Sequence, residues 1–287
     1  GAMTVLRDFY RCVCENDTEN EWIFLLGDRY FDETDNVKII PMPKIKKSGM
    51  KKLLFLINTL NIGGAEHTLV DIANRLAEDG FDVTVQTVVD TGYYRDMLSH
   101  KVQYKKGLRS YGRIRDALIY RTLCLFPAEI LHLFLVKGKF DYQIAFLEGL
   151  PTKIIAGCKN RSTQKYAWVH TDLHKYYRNK YVFGSLEKNR KCYQRFQKII
   201  CVSNDAKLGF IKRMGHHDDL DVQYNPINKQ LVLQKAECKP IYSLSTENNF
   251  KFVAVGRLVV VKGFDLLIQA MASAVKLVSA PIELYII

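Results

Sequence analysis

The side chains best suited to chemistry in this 287-residue chain stand just after short apolar runs. His170-Thr171-Asp172 follows one of them. An imidazole that changes charge near neutral pH can serve as acid, base or hydrogen-bond partner of a sugar hydroxyl; a helix cap or a histidine satisfied near the surface is the plainer reading. Asp172 either orients His170 or caps the segment from Leu173, and Glu148 either binds a hydroxyl or is a solvated turn carboxylate. Gly256-Arg257 and Lys262-Gly263 frame another turn, where two cations can hold a diphosphate whose charge rises as its bond to a sugar breaks.

The elements that must position these groups begin with Met50–Ala77. Leu53–Ile57 is a short apolar run closed by Asn58, Asn61 and Gly63-Gly64, which predicts a buried parallel strand. From Leu69 the apolar residues Ile72, Ala73, Leu76 and Ala77 recur three and four apart, so a helix packs back on that strand. Gly63 and Gly64 carry no Cβ, and the free N–H groups of the following helix favour an anion, which makes the turn a candidate phosphate or sugar site. It lacks the G-x-G-x-x-G spacing and the Lys-Ser/Thr of a P-loop. A tight connection with no ligand is the alternative.

The same alternation continues. Strands are expected at Val83–Val89, Val102–Tyr104, Tyr142–Phe146, Tyr166–Val169, Ile199–Val202 and Asp221–Tyr224, and helices at Tyr111–Phe126, Ala128–Val136, after Pro151, and at Gly184–Phe196. Ser203 is the expected N-cap of a further helix. In an open α/β sheet ligands bind beyond the carboxyl ends of the strands. Gly63-Gly64, Glu148-Gly149, His170-Thr171-Asp172, Ser203-Asn204, Asn225-Pro226 and Gly256-Arg257 all fall there, so one cleft should gather them.

Residues 50–227 form one Rossmann-like domain in this reading, and the polar stretch 228–249 a linker. Phe250–Val255 opens a second strand–loop–helix unit with Leu266, Leu267, Ala270 and Met271 on one helix face. It stops at strand Ile282–Ile287, so a second domain of residues 250–287 is expected to be incomplete. Residues 1–49 carry a net charge of −2 and repeat the order helix, strand, strand, with strands at Trp22–Leu26 and Val37–Ile40 and a helix at Thr4–Cys14. A partial duplicate or an unrelated extension accounts for them, and Met50 reads as a start codon to which something has been joined.

A hydrophobic content of 48% predicts a globular chain, with no apolar run long enough to span a bilayer and no basic-then-apolar leader. The seven cysteines lack paired metal spacing and fit a reducing cytoplasm. The net charge of +12 is concentrated. Residues 101–121 carry seven Lys and Arg against one Asp, a net of +6, and residues 159–198 carry eleven against two acids, a net of +9. Both stretches are laced with tyrosine and suit anionic partners: lipid head groups, diphosphates or nucleic acid.

The ordered set NTLNIGGAEHTL, FLEGLPTKII, WVHTDL, IICVSNDAK, YNPIN and VGRLVVVKGFDLLI resembles the retaining GT-B glycosyltransferases of family 4, over Met50–Ile287. The likeness is to bacterial members that build capsular or other surface polysaccharides. It implies two Rossmann-like domains, the first holding the sugar acceptor and the second the nucleotide-sugar donor, UDP- or GDP-linked, without a metal or other cofactor. Carried over residue by residue, Gly63 and Gly64 approach the donor phosphates, His170 sits at the reaction centre, and Arg257 and Lys262 neutralise the diphosphate. Glu66, Glu148, Asp172 and Asn225 complete the set as acceptor or sugar contacts. Asp219-x-Asp221 is then a turn and not a metal-binding pair. The family's paired glutamates of the second domain have no counterpart before Ile287. TVLRDFY and EWIFLLGDRYF, in the leading segment, resemble the first helix and next strand of another member.

The expected function is therefore transfer of a hexose, with retention, to a hydroxyl of a glycan or of a lipid-linked glycan, such as one on a polyprenyl diphosphate at the cytoplasmic membrane face. A noncatalytic glycan-binding or partner subunit is the alternative. Nucleic-acid binding explains the charge but not the motifs.

Overall fold

In the computed structural model, residues 22–26, 37–41, 50–177, 180–227, 229–237, 249–256, 258–278 and 281–287 are described. The chain divides into two compact units, 1–228 and 229–287.

In the first unit, β1 (Trp22–Leu26) and β2 (Val37–Pro41) pair in parallel. The main body follows: β3 (Lys52–Ile57), α1 (Gly64–Glu78), β4 (Asp82–Thr87), β5 (Val89–Asp90), β6 (Gln103–Lys105), β7 (Leu108–Arg109), α2 (Arg113–Leu125) and α3 (Ala128–Leu135). Then come β8 (Tyr142–Ala145), α4 (Leu150–Ala156), β9 (Gln164–Val169), α5 (Lys180–Phe183), α6 (Leu186–Tyr193), β10 (Lys198–Cys201), α7 (Asn204–Met214) and β11 (Leu220–Val222). Seven strands form one parallel sheet in the order β11-β10-β9-β8-β3-β4-β6. The order reverses between β3 and β8, where an open α/β sheet leaves a crevice at its carboxyl rim.

β3 is apolar throughout because both its faces are covered. Leu53, Phe55 and Ile57 join one core with Leu69, Val70, Ala73 and Ala77 of α1, while Leu54 and Leu56 join the other with Leu131, Ile154 and Ile155. This is the α/β, Rossmann-like parallel sheet expected from residues 50–227.

Three local departures have physical causes. The apolar run Val83–Val89 is two strands, because the Val88 N–H turns to the Ile57 and Asn58 carbonyls and β5 pairs with β7 instead. The helix expected over Gly184–Phe196 is present as α6 but starts two residues later, because Gly184, with φ +75°, separates it from the short α5; Ser185 caps α6 by accepting from Lys188 N–H at 3.1 Å. The expected linker contains a helix, α8 (Lys229–Ala236), in the second unit.

The rest of that unit is β12 (Phe250–Ala254), a 3₁₀ turn at Val260–Lys262, α9 (Phe264–Ala274) and β13 (Ile282–Ile286), with β12 and β13 parallel. It is a βαβ unit whose helix has no buried residue. The expected helix at Thr4–Cys14 lies outside the described residues.

Candidate functional site

Three neighbouring strands deliver the candidate residues of the first unit to one rim: β3 leads to Gly63-Gly64, β8 to Glu148 and β9 to His170. The path after β3 is fixed by main-chain bonds, Leu60 N–H to Thr91 O and Tyr94 N–H to Leu60 O, each 2.9 Å. Gly92 allows this approach: its φ is +140°, and an added Cβ would lie 2.0 Å from the Leu60 carbonyl carbon.

Gly64 is the first residue of α1 and Gly63 its N-cap, with extended backbone and no side-chain cap. A Cβ on Gly64 would meet nothing within 4 Å, so internal packing gives no reason for glycine there. A Cβ on Gly63 would fall 2.2 Å from Glu66 Oε2. The Glu66 carboxylate therefore already lies against the helix start, where the unpaired N–H groups favour negative charge.

Glu148 is not a solvated turn carboxylate. Its Oε1 accepts from His170 N–H at 2.7 Å, Thr171 N–H at 2.8 Å and Thr171 Oγ1 at 2.9 Å, tying the end of β8 to the end of β9. Burial raises its pKa, and the three donors oppose that rise. Gly149 follows with φ +93°, turning the chain into α4.

His170 packs on Phe146, with ring centroids 4.9 Å apart, and stacks with Trp168 at 6.5 Å. Burial among these rings lowers its pKa to about 4, so the imidazole is neutral at pH 7. Its Nε2 is buried without a hydrogen-bond partner among the described residues. Asn58, the residue after β3, holds its Oδ1 in the same condition. A buried polar atom left unmatched is costly unless something arrives to meet it. In the sequence Asn58 stands out only as the stop of a strand; its signal is a polar residue directly after a buried one, on the strand next to the crevice.

Asp172 does not face His170. Its Oδ1 accepts from His174 N–H at 2.9 Å and Lys175 N–H at 3.2 Å, its Oδ2 lies 3.5 Å from Lys175 Nζ, and Gly209 of α7 packs so closely that a Cβ there would sit 2.0 Å from Oδ1. It is a turn cap. Ser203 caps α7, accepting from Ala206 N–H at 3.1 Å. Asn225 is exposed beyond the edge strand β11, which β10 separates from β9, so it is not brought to the group around His170. Asp219 and Asp221 both bind the Lys198 ammonium, which takes the place a cation would have.

Lys262, in the second unit, is exposed at the end of the 3₁₀ turn before Gly263, which adopts the left-handed conformation and caps α9. A Cβ added at Gly256 would lie 3.3 Å from the Phe264 ring and 3.9 Å from Lys262 Cδ. Arg257 lies outside the described residues.

Residues 62–231 match the family described as Glycosyltransferase Family 4, which is more than half of the chain. The chain belongs to Glycosyltransferase Family 4. The match spans Gly63, Gly64, Glu66, Glu148, His170, Asp172 and Asn225 and ends before Lys262. The fold of this family member resembles that of Anabaena Alr3699/HepE. The HepE structure in complex with UDP and glucose aligns with a TM-score of 0.55 and 20% identity over 83% of this chain and 61% of that one. The complex with UDP-glucose gives 0.55 and 19% over 82% and 60%, and the complex with UDP 0.52 and 21% over 77% and 57%. The chain thus spans about 60% of the length of those structures. No curated protein matches it.

Proposed function

We propose that this family member moves a hexose from a UDP- or GDP-linked sugar to a glycan hydroxyl, with retention, in building a surface polysaccharide. The observation that carries the reading is the pair of unmatched buried polar atoms, His170 Nε2 and Asn58 Oδ1, on the rim where α1 begins with an open glycine. A neutral imidazole can bond a sugar hydroxyl without attracting a counter-charge, and the α1 N-terminus suits a phosphate. Family membership and the fold shared with HepE, solved with UDP and UDP-glucose, support a nucleotide sugar as donor. Lys262 and Arg257 are assigned to the diphosphate, and Glu66 to a sugar hydroxyl. Glu148 is assigned to positioning the His170 main chain.

The acceptor is proposed to be lipid-linked. Ile114, Leu118 and Leu125 lie at i, i+4 and i+11 on α2 and are 86%, 65% and 84% exposed, with Arg121 on the same face. On α3, Leu133 and Phe134 are exposed beside Lys137. Apolar stripes set among cations suit the interface of an anionic membrane. Among the described residues no helix is long and apolar enough to cross one.

The test is to incubate the complete product of the reading frame with radiolabelled UDP- and GDP-hexoses and a membrane lipid extract, and to determine the product's anomeric configuration by NMR. A labelled glycolipid with the donor's configuration is expected. Hydrolysis alone, inversion, or no turnover with any donor contradicts the proposal.

A further inference from the structure

The end of β4, residues 106–108 and the end of α3 enclose a cavity of about 230 Å³, apart from the residues around His170. Its floor is apolar: Leu56, Val88 and Ile154 are 3% exposed or less. Its mouth is cationic, with exposed Lys106 and Lys137 beside exposed Phe134, and among the described residues no acidic side chain lines it.

One group in this wall is left unmatched. Gln86 is buried, and its Nε2 donates to the Leu135 carbonyl at 2.7 Å. A carbonyl oxygen only accepts, so the amide cannot be turned around, and Gln86 Oε1 has no partner among the described residues. A buried acceptor without a donor costs free energy that an arriving hydroxyl recovers. Positive charge stands close by. Gln86 pairs with Lys105 of β6, and paired strands lie about 4.8 Å apart, so Lys106 is one residue along from the partner of Gln86. Lys105 Nζ donates to the Lys137 carbonyl at 2.7 Å, which ties the second mouth lysine to the same strand. Gly107 keeps the wall tight, since an added Cβ would fall 2.2 Å from the Thr87 carbonyl oxygen.

A ligand that satisfies all of these features has an apolar chain, an anionic head and a hydrogen-bond donor within a few bonds of that head. The volume has room for roughly eight water-sized groups, which admits one chain and not two. We propose that this cavity binds a single-chain anionic lipid with a free hydroxyl near its head, the chemistry shared by 3-hydroxy fatty acids and monoacylglycerol phosphates. The acyl chain lies on Leu56, Val88 and Ile154, the hydroxyl donates to Gln86 Oε1, and Lys106 and Lys137 hold the carboxylate or phosphate. The site stands apart from the transferase reading, and its test uses no sugar nucleotide.

The experiment titrates the native full chain calorimetrically with 3-hydroxydecanoate, decanoate and decanoyl-glycerol 3-phosphate, each below its micelle concentration. Saturable binding of one equivalent is expected, with 3-hydroxydecanoate about tenfold tighter than decanoate, the worth of one hydrogen bond to a buried acceptor. Gln86→Met should erase that preference, and Lys106→Glu, at an exposed position, should weaken all three ligands about tenfold. If Gln86→Met fails to fold, the wild-type preference and Lys106→Glu carry the test. Tighter binding of the glycerol phosphate than of the hydroxy acid identifies a phospholipid as the source, and the reverse a free acid. No saturable binding, equal affinity for decanoate and its 3-hydroxy form, a preference that survives Gln86→Met, or Lys106→Glu without effect leaves the cavity to water and overturns the proposal.

Discussion

At the scale of single residues, the site rests on what burial does to His170 and Glu148. His170 has a folded pKa of about 4 against 6.5 for an ordinary histidine. The folded state therefore binds fewer protons than the unfolded one between these values, and stability gained from the neutral ring is complete above pH 6.5 and lost as pH falls toward 4. Urea unfolding of wild type and His170→Asn should converge by up to about 3 kcal/mol between pH 7.5 and pH 4.5; an unchanged gap would show that the ring titrates as in water. Glu148→Ala leaves the two N–H groups and the Thr171 hydroxyl without their acceptor and should cost about 3 kcal/mol in the same assay, whereas a solvated turn carboxylate would cost under about 0.5. The sequence marked His170 and Glu148 as chemical residues because polar groups follow buried strands. It could not show that Glu148 turns inward, because its partners, the His170 and Thr171 N–H groups, are set by the packing of β8 against β9; the cap at Asp172 is one of the two readings the sequence offers, and its local bonds to the His174 and Lys175 N–H groups decide between them. Asn58 is not legible as a site residue, because an asparagine after a strand has the pattern of a strand stop and only the fold buries its Oδ1.

At the scale of elements, the start of α1 separates packing from ligand approach. Gly64→Ala places a methyl group in open space at a helical position, so it should raise stability by up to about 0.5–1 kcal/mol while weakening transfer about tenfold. Thermal unfolding and kcat/KM on one preparation check both halves; lower stability with unchanged kcat/KM would assign the glycine to the fold. Gly92→Val should instead destabilise by more than about 2 kcal/mol, since it combines a positive φ with a clash on the Leu60 backbone. Strands with both faces buried were legible within two residues, because a continuous apolar run closed by glycine or asparagine has few other solutions. The short α5 before Gly184 and the Val88 switch were not, since a left-handed glycine and a turned N–H leave the apolar pattern intact. α8, with exposed Val232 and Leu233, has little amphipathic signal to read.

At the scale of the whole molecule, the net charge of +12 takes meaning from the apolar stripes of α2 and α3. Flotation with phosphatidylcholine vesicles should recover little protein, and vesicles carrying phosphatidylglycerol should recover most of it at low salt. Leu118→Asp with Phe134→Asp should abolish recovery at nearly unchanged stability, because both side chains are 65% or more exposed. Binding indifferent to lipid charge and to both substitutions would remove the membrane from the account. The central claim is that the rim of β3, β8 and β9 receives the reacting sugar. Its most direct test is kcat for labelled hexose transfer at pH 7.5 by the complete reading-frame product and its His170→Ala variant. A fall of about a hundredfold or more is predicted, in line with loss of a preorganised polar contact, with the unfolding midpoint retained; a folded variant that transfers at the wild-type rate would contradict it.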